Sequence, residues 1–174
     1  MSNRYLTALA CAAALSILTG AASAKEGVLT VGTEGDAPKF SMADAEGHVT
    51  GFDADVGNAI CGELKVKCQF VVQSFSTLIP SIDTNRFDVI ISGLGITPER
   101  QKRIDYSVPY ASCPQYFAVP KGSPIANLTT LPEILKSLDG KDVGAVNGTT
   151  DAKYLAKNAR SKPQDLRFDY ADDS

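Results

Sequence analysis

Residues 88 to 110, DVIISGLGITPERQKRIDYSVPY, carry the clearest chemistry in this chain. Arg100 follows a stretch in which Gly93 and Gly95 let the backbone turn and leave peptide groups approachable. Thr97, Pro98 and Glu99 supply a helix opening: a capping hydroxyl, proline at the first helical position, and a carboxylate in the first turn. A guanidinium beside bare strand-end amides and a helix start is a trap for a carboxylate, held without covalent chemistry. The other reading of Arg100 is a solvated side chain partnering Glu99 or Asp105, the ordinary fate of an arginine.

The elements that must position this stretch follow from periodicity. Asp88 to Ser92 is an apolar, β-branched run that reads as a buried parallel strand. Upstream, Val28 to Gly32 is a first strand, and Thr33 to Pro38 a loop at its carboxyl end, where ligands of open α/β sheets gather. A hairpin over residues 40 to 52 follows, with His48 near its turn. Asp53 then caps a helix burying Val56, Ala59, Ile60, Cys61 and Leu64. Cys68 to Val72 is the next strand, Phe75 a short loop, and Ser76 to Asn85 a helix with Leu78, Ile79 and Ile82 inside. This is a βαβαβ pattern, the source of a parallel sheet with right-handed crossovers. Residues 116 to 124 break the pattern. A second α/β unit starts beyond them: a helix over 131–138, a strand over 142–146, a glycine-bearing strand end at residues 147–150, a helix over 151–158, and a strand over 167–170.

Composition narrows the class. With 44% apolar and 21% charged residues the chain is globular rather than disordered. Arg4 is the only charge in residues 1–24, where an alanine-rich apolar core ends in Ala22-Ser23-Ala24; this is a secretory signal peptide cleaved after Ala24. The formal net charge of −3, without a basic stripe or a tryptophan, argues against nucleic acid as a partner. In an oxidising compartment Cys61 and Cys68 are expected to close a small disulfide loop, while Cys113 is a buried apolar residue. The three cysteines left after cleavage, at these spacings and with His48 alone, make no metal-ligand set, and no cofactor is expected. The run DADVG at 53–57 resembles the start of a calcium loop, but its glycine is fifth rather than sixth and Leu64 stands where a carboxylate is needed.

SGLGITPER followed by IDYSVPY, with GFDADVGNAIC upstream, resembles the periplasmic solute-binding proteins of polar amino-acid ABC transporters, family 3. The likeness is nearest the branch of histidine and lysine/arginine/ornithine binders, and it runs from about Val28 to Tyr170. It implies a type II periplasmic-binding-protein fold: lobe 1 over 25–115, an interlobe crossing over 116–124, and part of an α/β lobe 2 over 125–174, the second lobe incomplete. It also implies a monomeric receptor that takes a free polar or basic L-amino acid in the cleft and passes it to an inner-membrane permease. Arg100 then matches the carboxylate-binding arginine, and Gly93 and Gly95 stand where histidine binders carry serines. Thr149 and Thr150 match the second lobe's carboxylate-facing motif; a plain helix cap before Asp151 is compatible with that role, since helix start and anion site coincide. Phe75 matches an aromatic against the ligand side chain, or else is a core staple. Glu34 sits where binders of basic amino acids place an aspartate; it and Asp36 are otherwise solvated acids, and Ala37 replaces the usual tyrosine wall. The same bridge, Cys61 to Cys68, is implied. Two alternatives stand beside the receptor: a dehydratase on this scaffold with Glu34 as its general acid, and a fragment that binds nothing.

Overall fold

A computed structural model describes residues 27–112, 114–158 and 163–165. The expected signal peptide, the strand over 167–170 and Cys113 lie outside the described residues. The first unit is built on β1 (Val28–Thr33), β5 (Lys67–Val72) and β6 (Val89–Ile90), which form a parallel sheet in the order β5-β1-β6. β1 pairs with β5 along its whole length, from Val28 against Lys67 to Thr33 against Val72. β2 (Asp36–Ala37), β3 (Ser41–Ala43) and β4 (Val49–Thr50) make a small antiparallel sheet that carries the expected hairpin plus one strand read as loop. His48 sits at its turn and pairs with Asp44 at 2.9 Å.

The run from Asp88 is shorter as a strand than its composition predicts: only Val89 and Ile90 pair with β1. Asp88 also meets β1 at Thr30: its carboxylate accepts the Thr30 amide at 2.8 Å and its own amide donates to the Thr30 carbonyl at 2.9 Å. Ile91 and Ser92 continue inward and are buried.

Helix α1 (Phe52–Leu64) forms as expected but shows a different face to the core. Its buried residues are Asp53, Ala54, Gly57 and Cys61, whereas Ile60 and Leu64 are exposed. The reason is close approach. A Cβ at Gly57 would meet the Phe70 ring at 3.1 Å, so the small residues set the contact and the branched stripe faces out. Asp53 is not the cap; the N-cap is Gly51, and Asp53 lies inside the first turn with its carboxylate buried. Cys61, near the end of α1, is bonded to Cys68 on β5, with Cα atoms 5.7 Å apart.

Phe75–Thr77 forms a 3₁₀ turn leading into α2 (Leu78–Ile82), whose buried anchor is Leu78; the helix stops three residues short of the expected Asn85. The core of this unit is Val31, Ala54, Cys61, Leu78, Phe87 and Ile91. A long stretch without regular strands then reaches α3 (Leu131–Ser137), β7 (Val143–Ala145), α4 (Thr150–Asn158) and β8 (Pro163–Asp165). β7 and β8 pair in parallel, so α4 is a crossover helix between them. Leu138 and Leu155 are the buried apolar side chains of this second unit among the described residues.

Candidate functional site

The carboxyl ends of the parallel strands converge on one cavity of about 680 Å³. The end of β1 contributes Glu34, the turn after β5 contributes Phe75, and the chain after β6 contributes Ser92, Gly93 and Gly95. Arg100 reaches it from a single 3₁₀ turn, and the start of α4 supplies Thr149 and Thr150. All seven residues singled out from the sequence therefore line the same cavity.

Arg100 is only 6% exposed, so the solvated reading is set aside. Its Nη1 donates to the Gly95 carbonyl at 2.8 Å and its Nη2 to the Gly148 carbonyl at 3.0 Å. The guanidinium carbon stands 5.5 Å from the centre of the Phe75 ring, within range of a cation–π contact. Neither acidic neighbour is its partner: Glu99 pairs with Lys153 at 2.9 Å, and Asp105 is in no ion pair among the described residues. Two of five guanidinium N–H groups are thus committed to carbonyls, which orients the fork without neutralising its charge. The Thr97 hydroxyl accepts the Arg100 amide at 3.2 Å, but the N-cap of the turn is Glu99, and the turn ends at Lys102 instead of extending into a helix.

The glycine turn is less bare than its sequence suggests. The Gly93 amide donates to the Tyr110 hydroxyl at 3.0 Å, and the Gly95 carbonyl accepts from both Arg100 and Tyr106. The Thr149 hydroxyl caps α4 by accepting the Ala152 amide at 3.2 Å, and spends its proton on the Val146 carbonyl at 2.7 Å. The Thr150 hydroxyl approaches Asp151 at 3.4 Å. What this corner offers a ligand is the start of a helix, with amides that lack a carbonyl one turn earlier.

Glu34 is half-buried, its amide donating to Ser92 Oγ at 3.0 Å. Burial pushes its carboxyl up to about 7, and the charges of Asp36 and Asp53 push the same way. Asp53 was missed as a site residue because it read as a cap. It is 1% exposed, burial raises its pKa, and the Tyr110 hydroxyl that it accepts at 2.9 Å pulls the other way. Phe40 also lines the cavity and meets Phe52 edge to face at 6.2 Å; it supplies an aromatic surface near the place where Ala37 leaves none. The missed signal for Tyr106 and Tyr110 was their spacing of four within IDYSVPY, just after Arg100.

The second unit seats itself on the first through residue 148. Gly148 has φ +82, and a Cβ there would come within 2.8 Å of Ser76 Cα, so only glycine allows the approach that brings its carbonyl to Arg100. Among the described residues no group of three His, Cys, Asp or Glu is placed to hold a metal ion.

The chain is 35% identical over 149 residues to the L-arginine-binding protein of Pseudomonas aeruginosa, covering 86% of this chain and 55% of that protein. It is 37% identical over 159 residues to the lysine/arginine/ornithine-binding periplasmic protein of Escherichia coli, covering 88% of this chain and 59% of that one. It thus spans little more than half the length of these relatives. Among solved structures, it superposes on an ancestral amino acid-binding protein, a precursor of cyclohexadienyl dehydratase, with TM-score 0.72 and 34% identity, over 82% of this chain and 62% of that one. The fold is therefore the α/β periplasmic-binding-protein fold. Residues 29–168 match the profile of one family over most of the chain, and the protein belongs to it: the bacterial extracellular solute-binding proteins, family 3.

Proposed function

We propose that this chain captures a free basic or polar L-amino acid in the cavity between its two α/β units, as a monomeric receptor that passes the ligand to the permease of an ABC importer. In this reading residues 25–115 form the first lobe, 116–124 the crossing and 125–174 the second. The protein works in the periplasm after cleavage of its signal peptide behind Ala24. The observation that carries the reading is Arg100: buried, oriented by two carbonyls, and with its remaining N–H groups on a cavity that also holds Glu34 and Asp53. Arg100 takes the ligand's carboxylate in charge-assisted bonds. The amides at the start of α4 meet it from the other unit. Glu34 faces the cationic end of the ligand, and Phe75 and Phe40 pack on the methylenes between.

Binding needs no bond to break. A ligand touching both units favours the arrangement in which they are close, and release follows when that arrangement opens. The names of the relatives, arginine and lysine/arginine/ornithine binders, support the cationic class. Calorimetry of the secreted chain with L-arginine, L-lysine, L-ornithine, L-histidine and L-glutamine tests it. Heat with the cationic members, weaker with glutamine, is expected; silence across the panel contradicts the reading. Turnover of prephenate or arogenate, with Glu34 as acid, would move the protein to the enzyme class instead.

A further inference from the structure

The segment after Arg100 does more than leave the site. It has no regular secondary structure between Arg103 and Ser112, yet two of its tyrosines return to the glycine turn. Tyr106 donates its hydroxyl to the Gly95 carbonyl at 3.1 Å, the same oxygen that takes Arg100 Nη1 at 2.8 Å. Tyr110 accepts the Gly93 amide at 3.0 Å and donates to the buried Asp53 carboxylate at 2.9 Å. Its ring is held against Phe52, with centroids 6.0 Å apart. One hydroxyl thus grips each glycine of the turn.

Packing does not hold that turn by itself. A Cβ at Gly93 would meet nothing within 4 Å, and one at Gly95 only Arg100 Nη1 at 3.7 Å. Gly93 also sits at φ +55, and glycine gains most from any release of constraint. The hydrogen bonds from outside the turn are what fix it. We propose that Tyr106 and Tyr110 are positioning residues, which lock the Gly93–Gly95 turn and, through the Gly95 carbonyl, aim the Arg100 guanidinium at its ligand. The proposal rests on Arg100 as the carboxylate site. It assigns these two hydroxyls a task separate from contact with the ligand.

An aimed guanidinium gives a carboxylate two parallel N–H bonds, whereas a carboxamide can accept on one side only. Loosening the aim therefore lowers affinity for an acid more than for its amide. A defect in stability lowers both alike. The test compares L-arginine with L-argininamide, by competition, on the parent chain, Tyr106→Phe, Tyr110→Phe, and Tyr106→Phe combined with Gly95→Ser. Thermal melts record whether each variant is folded. Tyr106→Phe should lose about tenfold in arginine affinity and less than about threefold in argininamide affinity. Tyr110→Phe should move the preference in the same direction and lower the melting temperature more, since Asp53 loses its donor. The serine has room beside Arg100 Nη1 and can accept from it, so the combined variant should recover part of the preference. A parent-like acid-to-amide preference in either folded phenylalanine variant overturns the proposal. If the parent chain binds no amino acid, the function proposed above falls first. If it binds and the preference stays put, only the tyrosine assignment falls.

Discussion

The two α/β units differ in how they hold the residues they bring to the cavity. The first buries Val31, Leu78, Phe87 and Ile91, and around them Thr33, Asp53, Ser92 and Arg100. The second, over the described residues, buries Leu138 and Leu155 and offers a turn and a helix start. Its contacts with the first include one carbonyl on Arg100, one glycine against Ser76 and one exposed ion pair. The first unit thus supplies Arg100 and the Gly95 carbonyl that holds one side of its fork, while the second adds the Gly148 carbonyl on the other side through contacts that are weak one by one.

The two units differ most in their cores. Phe87 is 2% exposed and its ring fills the space over Gly32, where a Cβ would come within 2.5 Å of it. Phe87→Ala should cost about 3–5 kcal/mol in denaturant unfolding, and Leu155→Ala in α4 about 2 kcal/mol. Equal costs would mean that the units are equally packed. Replacing Cys61 and Cys68 with serine should remove roughly 2 kcal/mol from the first unit, the value for so short a loop, and leave the ligand's Kd unchanged. A shift in Kd would tie the bridge to the site.

Glu34 sharpens the contrast through pH. Its carboxyl is raised from 4.5 to about 7, so the folded chain holds a proton that the unfolded chain releases earlier. The associated stability is present below about pH 4.5 and lost as pH climbs through about 7. Binding of a cationic side chain needs the ionised form and runs the other way: arginine affinity should rise between about pH 6 and about pH 8, with proton release on binding at the lower end. Calorimetry in buffers of different ionisation enthalpy reads both. A flat profile would remove Glu34 from the cationic end. The smallest effect belongs to Lys153→Ala, which breaks the exposed pair with Glu99 and should change affinity by about twofold or less, vanishing at high salt.

Much of this was legible in the residues, for reasons that also show where legibility stops. β1 and β5 announce themselves as strands of a βαβαβ order, and Arg100 by its place after the glycine turn and the ITPE opening. The face of α1 was not legible, since Val56, Ile60 and Leu64 make a convincing stripe. What overrides it is the approach at Gly57, a property of Phe70 across the sheet. The helix expected after Pro98 ends as one turn, since Ile104 onward must bring Tyr106 and Tyr110 back to the glycines; tertiary bonds outweigh local propensity there. Asp53 and Tyr110 are 57 residues apart, and nothing local in either predicts the bond between them.

The proposed binding of an amino acid in this cavity depends on Arg100 as the carboxylate clamp. Isothermal titration of L-arginine into the parent chain and into Arg100→Ala, with melts to confirm that the variant is folded, tests it most directly. A loss of more than about a hundredfold in affinity, in a folded variant, is the predicted result. Parent-like binding by Arg100→Ala would contradict the account at its centre.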